Sequence, residues 1–69
     1  MKLYLIEAVE SVDYDEFDGF VVAFKKASDA KRFKHEYFPE DKGRKVMCIG
    51  NAAGYIEDGQ ILLSSFKAG

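Results

Sequence analysis

One cysteine, Cys48, stands in 69 residues, so no disulfide can close within the chain. An unpaired thiol fits a reducing cytosol better than an oxidising compartment. Soft metal ligands are as scarce: Cys48 and His35 are the only two, and a structural zinc site takes four. No Ser/His/Asp or Cys/His constellation can be drawn from so few members. No apolar run approaches the ~20 residues that cross a bilayer. The start does not read as a secretory signal either, because Lys2 precedes a very short apolar run and Glu7 and Glu10 follow at once. These absences predict a soluble, cytoplasmic, non-enzymatic chain with no metal and no cofactor.

What is present is a folding composition. Hydrophobic residues make up 48%, with four Tyr and six Phe among them, which argues against disorder. The length allows one domain over residues 1–69. A chain this short buries only about 60% of the surface its unfolded form exposes, so its stability is marginal unless something adds to it.

The near-neutral total hides two blocks of charge. From Met1 to Phe20 the acids Glu7, Glu10, Asp13, Asp15, Glu16 and Asp18 face Lys2 alone. From Val21 to Val46 eight bases face four acids. An acidic end and a basic middle can each steer a charged partner.

"KLYLIEAV" (Lys2–Val9) and "GFVVAF" (Gly19–Phe24) read as strands joined by the acidic loop into an antiparallel hairpin. "SDAKRFKHEYFPE" follows. Ser28 suits an N-cap, Asp29 meets the positive end of the dipole, and Ala30, Phe33 and Tyr37 share one helical face. Pro39 disfavours helical geometry at Phe38, so the pattern predicts a helix over 28–38. "RKVMCIG" (Arg44–Gly50) and "QILLSSF" (Gln60–Phe66) read as two further strands, with Asp58-Gly59 as a turn in the loop between them. The order is β-β-α-β-β: an α+β fold with a four-stranded, mainly antiparallel sheet and one helix on one face.

Both faces of these strands are apolar. Leu3 and Leu5 oppose Tyr4, Ile6 and Ala8, and Phe20, Val22 and Phe24 oppose Val21 and Ala23. One helix of ~16 Å covers one face and no more. The second face is expected to be covered by the loops that carry Tyr14, Phe17, Tyr55 and Ile56, or by another copy of the chain in a homo-oligomer.

The stretch "VDYDEFDGF" (Val12–Phe20) invites a calcium reading, which fails. Counted from Asp13, an EF-hand loop meets Phe17 at an oxygen position, Asp18 at the glycine and Phe24 at the bidentate glutamate. Exposed loop carboxylates also lack the burial that would separate their pKa values for acid–base work. Cys48, mid-strand between Met47 and Ile49, reads as a small buried hydrophobe.

Two binding surfaces are left. Lys25 and Lys26 before the helix, Lys31 and Arg32 on it, and Arg44 beyond it could hold phosphates, with Tyr14 or Phe17 stacking on a base. The acidic pI disfavours duplex nucleic acid and leaves a small nucleotide as ligand. The rival is Asp15 and Asp18 interleaved with Tyr14 and Phe17, a loop able to mimic nucleic-acid charge or dock on a basic protein.

Three segments, "KLYLIE", "YDEFDGFVVAF" and "VMCIGNAAGYIEDGQILLSSFKAG", resemble a family of small uncharacterised phage and prophage proteins. Tyr14-Asp15, Phe17-Asp18, Val21-Val22, Ile49-Gly50, Ala52, Ser65-Phe66 and Ala68-Gly69 carry the match, while the basic "KHEYFPEDKGRK" departs from it. The resemblance implies a stoichiometric accessory protein of counter-defence type. Its partner would be a sequestered nucleotide signal or a host defence protein, or it would be a structural or regulatory phage component.

Overall fold

The computed structural model describes residues 1–68; Gly69, the last residue of the family-like C-terminal motif, lies outside the described residues. Four strands form one sheet: β1 (Lys2–Ala8), β2 (Glu16–Phe24), β3 (Arg44–Asn51) and β4 (Ile61–Lys67). Their spatial order is β3-β1-β2-β4, and every neighbouring pair is antiparallel. The helix, α1, is one turn, Ala27–Lys31. The α+β order is therefore present, with a sheet much larger than its helix.

The topology follows from the hairpin. β1 and β2 pair antiparallel with Leu5 opposite Val21. β3 adds to the other side of β1, which makes it parallel to β2 and obliges residues 25–43 to cross over β1. β4 then returns to the free side of β2, and residues 52–60 reach it by running across one end of the sheet. Backbone bonds fix that passage: Ala52 N–H to Met1 C=O at 3.0 Å, Ala23 N–H to Gln60 C=O at 3.0 Å, and Gly59 N–H to Ala23 C=O at 2.6 Å. Gly59 has φ +87°, so the expected Asp58-Gly59 turn forms on a conformation that glycine adopts at no steric cost.

The crossover explains why the helix is shorter than the pattern predicts. It must travel from the Lys2 end of the sheet to the Ala8 end, roughly 23 Å for seven strand residues. Five helical residues supply about 7.5 Å of that. Ser28 is not the cap. The N-cap is Lys26, which makes no side-chain capping bond, and isolated helices of this length are poorly nucleated. After Arg32 the chain opens, and a turn closes from Phe38 N–H to His35 C=O at 3.1 Å. Tyr37 occupies its third position with φ +62°. That kink turns Tyr37 out to solvent, 63% exposed, and buries Phe38 instead. The face expected from Ala30, Phe33 and Tyr37 is thus replaced by Ala30, Phe33 and Phe38.

One face of the sheet carries the core: Tyr4, Ile6, Phe20, Val22, Ala30 and Phe38, with Phe17, Phe24, Phe33 and Val46 packed against it. Phe20 is 2% exposed and sits at the centre, its ring centroid 4.8 Å from Phe17, 5.1 Å from Phe33 and 5.2 Å from Phe38. Arg44 lies with its guanidinium 5.2 Å over the Phe38 ring and donates to Lys31 C=O at 3.0 Å, tying the crossover to β3. Cys48 is a correction to the sequence reading. It is exposed, because β3 is an edge strand and it stands beyond the Arg44–Phe38 contact that covers the start of that strand.

The second face is open. Register places Lys45 and Met47 (β3), Leu3, Leu5 and Glu7 (β1), Gly19, Val21 and Ala23 (β2) and Leu63 and Ser65 (β4) together on it. Ala23 is buried where Gly59 and Gln60 bond its backbone. Leu3, Leu5 and Val21 are half-buried, Met47 is 46% exposed and Leu63 67% exposed. The loops leave Met47 and Leu63 of this face open: Phe17 packs against the core, Val12 and Ile56 are buried, and Tyr14 and Tyr55 are exposed.

Candidate functional site

β2 begins at Glu16, three residues earlier than the pattern predicts, so the acidic stretch divides. Phe17 and Asp18 belong to the strand, and only residues 9–15 form the loop. Asp18 is the extra residue where the β2–β4 register shifts between Phe17 and Gly19. That bulge lets Phe17 and Phe20 both face the core while Asp18 stays exposed.

The loop is held firmly along its length. Val9 N–H donates to Gly43 C=O at 3.3 Å and Glu10 N–H to Lys42 C=O at 2.9 Å. Val12 is buried, and its carbonyl accepts from Lys67 Nζ at 3.1 Å. Asp13 N–H donates to Glu16 Oε1 at 2.8 Å, and Asp15 N–H to Lys67 C=O at 2.6 Å. Asp15 turns the chain with φ +62°, a left-handed conformation that aspartate tolerates better than most residues. Lys67 also places its ammonium 5.0 Å over the Tyr14 ring, so one lysine orders both the loop backbone and its aromatic side chain. Sequence reasoning missed Lys67. The base lies 55 residues from Val12, and only the β2–β4 pairing, Glu16 opposite Lys67, brings it there.

Tyr14 and Phe17, paired in the sequence reading, part company. Phe17 is packed against Phe20, Phe66 at 4.6 Å and His35 at 5.0 Å, and its N–H donates to Tyr37 C=O at 2.8 Å. Tyr14 is 68% exposed, with Asp13 and Asp15 exposed on either side of it. The outward-facing group is therefore Asp13-Tyr14-Asp15, with Asp18 exposed farther on.

The basic residues do not converge in a single chain. Lys25 and Lys26 follow β2 at the end opposite Tyr14, about 30 Å away along nine strand residues. Arg32 is paired with Asp29 at 3.0 Å. Arg44 is spent on Phe38 and Lys31 C=O, which leaves the Lys31 side chain exposed near it. One turn of helix carries little dipole.

None of these five bases lines either of two concavities on the described surface. The smaller, among Lys34, His35, Glu36, Phe38 and Glu40, sits beside the Lys34–Glu40 pair at 3.7 Å. The larger, about 440 Å³, is a shallow groove on the open sheet face, with Leu5, Val21 and Leu63 among its apolar lining and Val9 of the loop beside them. Gly19 is buried there, and a Cβ on it would come within 3.3 Å of Ile6 C=O and 3.5 Å of Glu7 Cγ. Glu7, Glu10 and Asp18 line the groove as well, so its surroundings are acidic. No helix among the described residues is long and apolar enough to cross a membrane. No protein-family model, curated protein or solved structure matches the chain.

Proposed function

We propose that the chain is a non-enzymatic accessory protein that acts by docking its acidic–aromatic loop on a basic surface of a protein that handles nucleic acid. The observation that carries this reading is Tyr14, 68% exposed on a loop whose backbone is fixed from Val9 to Phe17. An aromatic anchor that is already ordered loses little conformational entropy when it binds. Carboxylates around it speed and orient encounter with a basic partner. Tyr is also among the residues that carry most of the energy in such contacts. The resemblance of Tyr14-Asp15 and the following strand to small phage proteins supports a bacterial defence complex as the partner.

Nucleotide sequestration is the second reading, and it rests on the exposed Lys25, Lys26 and Lys31 side chains. Its pocket would have to be completed by another subunit, since one chain holds Lys25 and Tyr14 at opposite ends of β2.

Two measurements separate the readings. Capture from bacterial lysate is compared for the wild type, the Tyr14→Ala/Asp15→Asn double variant and Lys31→Glu; asparagine keeps the left-handed turn at position 15 while removing its charge. Docking predicts a partner that is lost with the loop variant, kept with Lys31→Glu, and weakened by salt. Calorimetry against cyclic and linear nucleotides then tests the other reading. Heat that disappears in Lys31→Glu, together with capture indifferent to the loop variant, would overturn docking.

A further inference from the structure

Tyr37 is a poor choice for stability at the place it occupies. It holds φ +62° in the turn after Arg32, and its side chain, 63% exposed, recovers little of that cost by packing. The turn itself serves the fold, since it buries Phe38, but glycine would make the same turn without strain. A bulky residue kept in such a conformation and left in water points to function.

Its position says which function. The Tyr37 C=O accepts the Phe17 N–H at 2.8 Å, which ties this turn to the start of β2. Tyr14 stands three residues before Phe17, no more than about 11 Å of chain away. Tyr55, the other exposed tyrosine, belongs to the 52–60 connection, which is bonded to Met1 and Ala23 at the opposite end of the sheet. Tyr14 and Tyr37 therefore form a pair at one end, each on a segment fixed by backbone hydrogen bonds. Asp13, Asp15, Asp18 and Glu36 are exposed around them. Two bases at that end are already engaged: Lys67 with Val12 C=O and the Tyr14 ring, and Lys34 with Glu40 at 3.7 Å.

Tyrosine rings set among carboxylates suit arginine better than lysine. A guanidinium lies flat on a ring while its fork meets a carboxylate, whereas an ammonium offers a point charge. We propose that Tyr37 is a second aromatic anchor of the docking surface, set beside Tyr14 to take arginine side chains of the basic partner. The inference rests on the docking reading and adds to it a second contact and the residue type contacted. One interface of standard size, about 800 Å² on each side, reaches across both segments.

The test uses two synthetic peptides of equal length and charge, one with arginine and the other with lysine at every charged position. Affinity for the purified full chain is read by calorimetry at low salt. The wild type is expected to bind the arginine peptide about fivefold tighter, the order expected of guanidinium stacking at an exposed site. Tyr37→Gly should lower the arginine affinity about threefold and leave the lysine affinity almost unchanged, while Tyr37→Phe, which keeps the ring, should bind like wild type. Because glycine relieves the left-handed strain, weaker binding by Tyr37→Gly is not the result of a damaged fold. If that variant does not fold, Tyr37→Asn, which also tolerates the conformation, serves in its place. Arginine binding that falls with Tyr14→Ala but is unmoved by Tyr37→Gly overturns the second anchor and leaves docking by the loop in place. Equal affinity for the two peptides overturns the assignment to arginine. No binding of either peptide, or binding indifferent to both tyrosines, overturns the docking reading and this inference with it.

Discussion

The two faces of this sheet are written in the same alphabet and end in different states. On one, Tyr4, Ile6, Phe20 and Val22 are almost wholly buried; on the other, Leu3, Leu5, Val21, Met47 and Leu63 keep part or most of their surface in water. Strand composition alone does not make the difference, since Leu3, Leu5, Val21, Met47 and Leu63 are as apolar as the residues of the covered side. The connections do. Residues 25–43 cross the sheet and carry Ala30, Phe33 and Phe38 down onto it. Residues 52–60 pass around its end and put only Ile56 into a buried position. A face is closed when the topology sends an aromatic-bearing segment over it. The other is left for whatever binds.

Breaking the covered face should have the largest effect. Phe20→Ala removes the ring that touches Phe17, Phe33 and Phe38, and large-to-small changes of this kind cost about 3–5 kcal/mol. A domain of this size has roughly 3–10 kcal/mol in total, so the variant is expected to be largely unfolded at 25 °C by circular dichroism. A cooperative transition within about 1 kcal/mol of wild type would show that the aromatic cluster is not the core.

The next effect concerns how the cover is fastened. Arg44→Met keeps the apolar stem but removes the cation over Phe38 and the donor to Lys31 C=O. Denaturant titration should show a loss of about 1–2.5 kcal/mol, the sum expected of an exposed cation–π contact and one solvent-exposed hydrogen bond. A lysine side chain keeps the charge but not the planar fork, and restores part of this at most. The same titration of Arg44→Lys should therefore fall between wild type and Arg44→Met.

Much of this architecture was legible in the sequence, and the part that was not has a physical cause. Strand positions, the hairpin and the doubly apolar sheet follow from alternation in "KLYLIEAV" and "GFVVAF", which local residues fix. The length of the helix does not. Ala30, Phe33 and Tyr37 have the spacing of a helical face, but the crossover needed reach more than it needed turns, and Phe38 won the buried position through the kink at Tyr37. Phe17 read as a loop aromatic because nothing local announces that Asp18 is a bulge; the register of β4 decides it. Lys67 was invisible for the same reason, being brought to Val12 and Tyr14 only by strand pairing. Non-local pairing is where single-sequence reasoning stops.

That kink supplies a smaller and opposite prediction. Tyr37 holds φ +62° at the third position of its turn, where glycine is preferred and a bulky residue is strained. Its ring is mostly exposed, so little packing is lost on replacing it. Tyr37→Gly should therefore raise stability by about 0.5–1 kcal/mol, the relief of left-handed strain exceeding the added freedom of the unfolded chain. A loss of similar size would mean that the exposed ring contributes a contact worth more than the strain.

The smallest effect is the one that bears on the open face itself. Leu63→Ala removes the largest exposed side chain of the groove, and in a free monomer an exposed truncation should change stability by no more than about 0.5 kcal/mol. A residue that contacts only water in the monomer and a second chain in a homo-oligomer behaves differently as concentration rises. Its cost should then grow, because association stabilises the folded state by mass action and the substitution weakens association. Thermal unfolding of wild type and Leu63→Ala at a dilute and a concentrated setting therefore gives two differences rather than one. Differences that are equal and small describe a face that nothing covers. A pair that starts near zero and widens with concentration describes a face that completes itself with its own copy, while Phe20→Ala, whose contacts all lie within the chain, costs the same at every dilution.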